Sequence, residues 1–332
     1  MKVKKAIKTA GLILVLCTSL CSLAACGDAN ADKGPDISDK KSIVCTIFPE
    51  YDWVKEVTGD KADDYEITLL LDNGVDIHNY QPSAADIVKI ASCDVFIYVG
   101  GESDKWVDDA LSEAVNKDMQ VVSLLDVLGD HVKEEETVEG MEAEEDEGEE
   151  EEGPEYDEHV WLSLKNTGVL VDAITASLTA VDPYNASIYK ENAKAYNEKL
   201  KALDDEYQNA VNEASVKTVL FGDRFPFRYL TDDYGLDYFA AFAGCSAETE
   251  ASFETVTFLA GKVDELDLGA VLVIESSDGK MAETIISNTK DKDQEVLVLD
   301  SMQSVTGKDI ENGTTYLGVM KDNLEVLKKA LK

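Results

Sequence analysis

Short apolar runs alternate with helix-spaced apolar stripes along most of this chain. The runs at 42–47 (SIVCTI), 66–71 (EITLLL), 95–99 (VFIYV) and 120–123 (QVVS) have the length and composition of buried strands. Helical spacing lies between them, as in DWVKEVTG and SAADIVKIA. Ser83 is placed to cap the second of these, with Asp86 as the acid in its first turn. The rhythm resumes at 217–221 (KTVLF), 237–241 (DYFAA), 269–274 (GAVLVI) and 295–299 (EVLVL), with helical patterns at 253–264, 280–289 and 314–331. Strands that alternate with helices predict parallel sheets. The expected fold class is therefore α/β, with two lobes, each a mostly parallel four-stranded sheet with flanking helices.

One long helix is expected between the lobes. In residues 182–215, Tyr189, Ala193, Tyr196, Leu200, Leu203 and Tyr207 recur at alternating steps of four and three, forming one stripe. Asp182 is the expected cap and Pro183 fits the first turn. This divides the chain into a first lobe over 41–181, a linker helix over 182–215 and a second lobe over 216–332.

The beginning of the chain belongs to neither lobe. Lys2, Lys4, Lys5 and Lys8 precede the apolar run GLILVLCTSLCSL, which falls short of the ~20 residues of a spanning helix. The run ends in LAAC, the order found in a bacterial lipobox. Residues 1–25 are thus expected to be a lipoprotein signal peptide, Cys26 the lipidated mature N-terminus and 26–40 a polar tether. That places the protein outside the cytoplasm, on the outer face of the cell membrane. Cys45, Cys93 and Cys245 remain and read as small, partly buried residues. No CxxC survives, which argues against a thiolate zinc site.

Charge changes the picture further. With 68 Asp and Glu against 30 Lys and Arg, the formal charge is −38, which disfavours nucleic acid and anionic surfaces and favours cations. Residues 134–158 hold sixteen of these acids and no Lys or Arg. A segment so poor in apolar residues is expected to stay disordered, over about 132–158. It would gather divalent cations through weak contacts at His131, Glu150, Glu151, Glu152, Asp157 and Glu158.

Only three histidines are present. His78 follows the 66–71 strand and His159 follows the acidic run, so both sit in loops of the kind where open α/β sheets bind ligands. A shared metal site is expected for this pair, with His131 at the surface. Asp300 closes EVLVLD and Glu275 closes GAVLVIE, so each can offer a carboxylate at a strand end. Imidazoles with carboxylate suit zinc and, with more oxygens, manganese; magnesium and calcium do not favour imidazole.

Three stretches carry a family resemblance: HNYQPSAADIVKIASCDVFIYVGGESDKWVDD, DEHVWLSLKN and DDYGLDYFAAFAGCSAETEASFETVTFLAGKVDEL. They resemble the metal-specific solute-binding lipoproteins of ABC importers, the zinc/manganese-uptake family, over essentially the whole mature chain. The resemblance implies two α/β lobes joined by a rigid helix, with a metal buried in the cleft between them. It implies His78 and His159 as first-lobe ligands and Asp300 as a second-lobe ligand, with Glu275 as a further candidate. It also implies zinc, or alternatively manganese, as cargo, a membrane permease as partner, a monomer, and no enzymatic activity. One position departs. Where the family supplies a His or Glu ligand, this chain has Arg224, whose guanidinium has no lone pair to offer a cation. The third ligand is left open among Asp223, Glu275, Glu250 and water, and a non-metal solute read by Arg224 and Arg228 is the alternative. An exported metallohydrolase is disfavoured because no HExxH or other hydrolase signature is present; a purely adhesive surface protein would tolerate loss of His78.

Overall fold

Each short apolar run becomes a strand, and the two sets of four build sheets of one topology. The computed structural model describes residues 40–142, 155–246 and 251–332. The first lobe contains β1 (Lys41–Cys45), α1 (Phe48–Thr58), β2 (Tyr65–Leu69), α2 (Ala84–Ser92), β3 (Val95–Tyr98), α3 (Trp106–Ser112), β4 (Gln120–Ser123), α4 (Leu124–Leu128) and α5 (Leu164–Val181). After α6 (Ala186–Glu213) come β5 (Thr218–Phe225), α7 (Arg228–Tyr234), β6 (Asp237–Ala243), α8 (Phe253–Leu266), β7 (Ala270–Val273), α9 (Lys280–Ser287), β8 (Glu295–Val298), α10 (Gly307–Glu311) and α11 (Tyr316–Ala330). The strand orders are β2-β1-β3-β4 and β6-β5-β7-β8, and every pair is parallel. In both sheets the winding reverses beside the first strand, so the loops at the carboxyl ends face a crevice suited to a ligand. The expected α/β class is the one observed.

Local chemistry explains the main elements. Ser83 Oγ accepts from Asp86 N at 3.3 Å and the Asp86 carboxylate accepts from Ser83 N at 3.0 Å, a reciprocal cap on α2. The whole predicted stripe of α6, from Tyr189 to Tyr207, is buried. Asn192 Nδ2 donates to Val57 O at 3.0 Å in the first lobe, and Tyr207 Oη donates to Met320 O at 2.6 Å in the second. This helix is therefore pinned to both lobes.

Two expectations about the helices change. Asp182 does not cap α6, which starts only at Ala186 after a 3₁₀ turn over Pro183–Asn185. Its carboxylate instead accepts from Tyr189 Oη at 2.6 Å, Asn185 Nδ2 at 2.7 Å and Tyr65 Oη at 3.0 Å. Helix α5 was not expected, because Gly168 and a series of β-branched residues give it weak intrinsic propensity. Burial of Leu170, Val171, Ile174 and Leu178 stabilises it.

The acidic stretch also differs from expectation at its two ends. Residues 132–142 and 155–158 are folded onto the protein, with a bridge between Glu134 and Tyr156. Met141 is buried and Val132 and Val138 pack on the core, so apolar residues interleaved with the acids give the strand-like arm an inner side. The acids find donors on the second lobe. Arg228 Nη1 donates to Glu136 at 2.6 Å, and Glu142 accepts from Ser252 N at 2.9 Å and Thr255 Oγ1 at 2.7 Å. Glu150, Glu151 and Glu152 lie outside the described residues, as do Glu250, the expected signal peptide, Cys26 and the tether up to residue 39.

Candidate metal centre

The two histidines expected to act together do meet. Their ring centroids are 5.2 Å apart, and His159 is completely buried. Each ring is held by the same local device, an aspartate two residues earlier. Asp76 Oδ1 accepts from His78 N at 3.1 Å and lies 2.6 Å from His78 Nδ1. Asp157 Oδ1 accepts from His159 N at 2.8 Å and lies 3.0 Å from His159 Nδ1. With Nδ1–H donated to a carboxylate, each Nε2 is left with its lone pair. Both Nε2 atoms are buried and have no hydrogen-bond partner. Orphaned polar atoms of this kind are costly unless something binds them, and an imidazole oriented by a carboxylate is the usual arrangement of a metal ligand.

The electrostatics favour a cation here. Burial opposes the charged form of His159, but the carboxylates of Asp157, Glu158 and Asp76 outweigh it and raise its pKa. Burial would also raise Asp76, yet His78 and then Arg224 hold its carboxyl well below the usual carboxylate range. Glu158 is buried; its Oε1 accepts from Ser103 N at 2.8 Å, while its Oε2 is unpartnered and 3.9 Å from His78 Nε2. Glu158 and Asp157 are thus buried groups at the histidines. They are not solvated members of a collecting loop, because the chain turns inward here to bury Val160, Trp161 and Leu162. His131 is exposed at the end of a 3₁₀ turn.

Of the carboxylates expected from the second lobe, Glu275 is fully engaged elsewhere and Asp300 through one oxygen. Glu275 accepts from Ser301 N at 2.8 Å, Gln303 N at 3.1 Å and Ser304 N at 3.2 Å, so it organises the loop after β8. Asp300 Oδ1 accepts from Met302 N at 2.7 Å, and burial together with the Glu275 charge pushes its pKa up to about 6. Among the described residues, the set of three His, Cys, Asp or Glu donors lying within 4.8 Å of one another is His78, His159 and Cys245. Neither Asp300 nor Glu275 joins it, nor does Asp223, whose Oδ1 accepts from Arg224 N at 2.8 Å.

Cys245 is the residue that sequence reasoning set aside. It follows β6 in the second lobe, and its backbone N donates to Glu135 at 3.1 Å. The approach depends on Gly244. A Cβ there would lie 2.9 Å from Phe225 O and 3.1 Å from His159 Cε1. The Gly244-Cys245 pair at a strand end is the signal in the sequence, but a lone cysteine has no metal-ligand spacing to mark it. Arg224, in the position that raised the question of a third ligand, donates from Nη2 to Asp76 Oδ2 at 2.6 Å. The register of β5 slips between Phe221 and Arg224, which re-aims this side chain. A cavity of about 820 Å³ is lined by Arg224, Asp223 and Asn79, but its guanidinium is matched by Asp76, and Arg228 is matched by Glu136. That is a poor receptor for an anionic solute.

Two lobes of parallel sheet on one long helix, with unsatisfied imidazoles buried where loops converge, define a solute-binding protein of the metal-receptor class. The chain belongs to the family described as "Zinc-uptake complex component A periplasmic", whose profile matches residues 43–330. It is 30% identical to the high-affinity zinc uptake system protein ZnuA of Bacillus subtilis, over 98% of both chains. It is 33% identical to the zinc-binding lipoprotein AdcA of Streptococcus pneumoniae over 96% of this chain, but spans only 60% of that relative's length. Among solved structures, the Zn(II)-bound ZnuA-like domain of S. pneumoniae AdcA matches with a TM-score of 0.68 at 29% identity, covering 88% of this chain and 99% of that one.

Proposed function

We infer that this protein is a lipid-anchored, extracytoplasmic receptor that captures zinc and delivers it to the membrane permease of an ABC importer, working as a monomer and catalysing no reaction. The observation that carries this reading is the pair of buried imidazoles, each locked through Nδ1 by its own aspartate and each leaving Nε2 unsatisfied. The zinc-binding names of the relatives support the choice of metal. Imidazole nitrogen suits zinc better than it suits calcium or magnesium. Lipid attachment rests on Cys26 and the LAAC sequence before it.

The test is zinc titration of chelator-stripped protein against a chromophoric competitor. Wild-type protein is expected to take up one zinc tightly, and His78→Ala and His159→Ala to lose that uptake. Tight binding that survives both substitutions would overturn the assignment. For the anchor, Cys26→Ala is expected to release the protein from the membrane fraction; retention there would exclude attachment through Cys26.

A further inference from the structure

The donor set contains a sulfur that the family resemblance did not supply. We propose that Cys245 Sγ is the third protein ligand to the metal, supplied across the crevice by the second lobe in place of the position occupied by Arg224. This inference rests on the reading of His78 and His159 as ligands and specifies their partner.

Three observations point the same way. Sγ lies within 4.8 Å of a ring nitrogen of both histidines. The Nε2 atoms of His78 and His159 are buried and unpartnered, so the two rings beside this thiol each still await a ligand. Gly244 removes the side chain that would keep the Cys245 loop away from His159. Nitrogen and sulfur donors at about 2.0–2.1 and 2.3 Å from one zinc stand about 3.3–3.6 Å apart in a tetrahedron, and these three donors, within 4.8 Å of one another, are already close to that spacing. On binding, the S–H bond is lost, an S–metal bond forms and the proton leaves to solvent. No oxidant or reductant is involved.

The consequence is selectivity. Two imidazoles with a thiolate make a borderline-soft site that favours zinc and cadmium and discriminates against manganese, which prefers oxygen donors. The alternative cargo considered from the sequence is therefore disfavoured by this residue.

Cobalt(II) substitution of the full chain tests the proposal, because a cobalt–thiolate bond gives a near-ultraviolet charge-transfer band. Wild-type protein should show the band, and Cys245→Ser should lack it while keeping its circular dichroism. Zinc affinity of Cys245→Ser should fall more than about tenfold, the least that losing even an outer-shell partner costs a metal site. Zinc should also protect Cys245 from iodoacetamide, read by mass at its own peptide, and Asp300→Asn should bind zinc like wild type. Tight, His78-dependent binding without the band, with Cys245→Ser unchanged or Asp300→Asn defective, would overturn the cysteine ligand and leave the histidine reading standing. Absence of any tight, His78-dependent metal would overturn both.

Discussion

Asp76 is the residue where one atom's replacement has the most legible outcome. Its two oxygens are divided between partners: Oδ1 serves His78 N and Nδ1, and Oδ2 serves Arg224 Nη2 at 2.6 Å. Asp76→Asn keeps the shape but can satisfy only one side. If the amide oxygen faces His78, the NH₂ group meets the guanidinium, donor against donor. Arg224, whose side chain is only 16% exposed, then loses a charge-assisted hydrogen bond of about 1.5–3 kcal/mol. If the amide is flipped, its NH₂ donates to Nδ1, the proton moves to Nε2, and the lone pair offered to the metal disappears. Either way zinc affinity should fall about 10–100-fold, or about 1.4–2.7 kcal/mol. Competitive zinc titration reads the affinity, and thermal melting of the metal-free protein reads the lost hydrogen bond. The wild-type carboxyl has a lowered folded-state pKa, so its contribution to stability is present above about pH 4 and is lost as pH falls below that. The Asn variant should lack this acid dependence. A variant that binds zinc within twofold of wild type and melts at the same temperature would refute the orientation argument.

Further predictions follow from other residues. Glu158→Gln should weaken zinc binding about tenfold, since Oε2 is unpartnered and 3.9 Å from His78 Nε2; an unchanged affinity would remove Glu158 from the site. Gly244→Ala pushes a methyl against Phe225 O and His159, so it should cost about 1–3 kcal/mol in denaturant unfolding and weaken zinc binding; wild-type behaviour in both would show that the loop is not tightly seated. Burial and the neighbouring Asp104 raise the Glu50 pKa to about 8, above its unfolded value. Its folded form binds the proton more tightly, so stability should fall as pH rises from about 4.5 to 8, by up to about 1.4 kcal/mol per unit. Glu50→Gln should flatten that slope, and an identical slope in the variant would contradict the assignment.

Much of this fold is legible in the sequence because burial on both faces makes parallel strands continuous apolar runs. The stripe of α6 is equally plain, since its buried residues form one face from Tyr189 to Tyr207. Helix α5 is not legible, because tertiary burial overrides the weak propensity around Gly168. At the site, His78 and His159 stand out as rare residues at loop positions, and the aspartate two before each was present to be read. What local sequence could not give is the third donor. Asp300 and Glu275 lie at strand ends just as expected of ligands, yet Glu275 is turned to the Ser301–Ser304 backbone and one Asp300 oxygen to Met302 N. The identity of a donor brought from another lobe depends on which loop a glycine allows to approach. That is a property of packing rather than spacing.

The two Asp-x-His turns also bear on the cost of capture. Each ring is posed through Nδ1 by an aspartate two residues away, and Arg224 of the second lobe holds Asp76 in turn. Rings fixed in this way have little side-chain freedom left to lose when an ion arrives. Most of the ordering is therefore done when the chain folds, and an ion meets two nitrogens already posed.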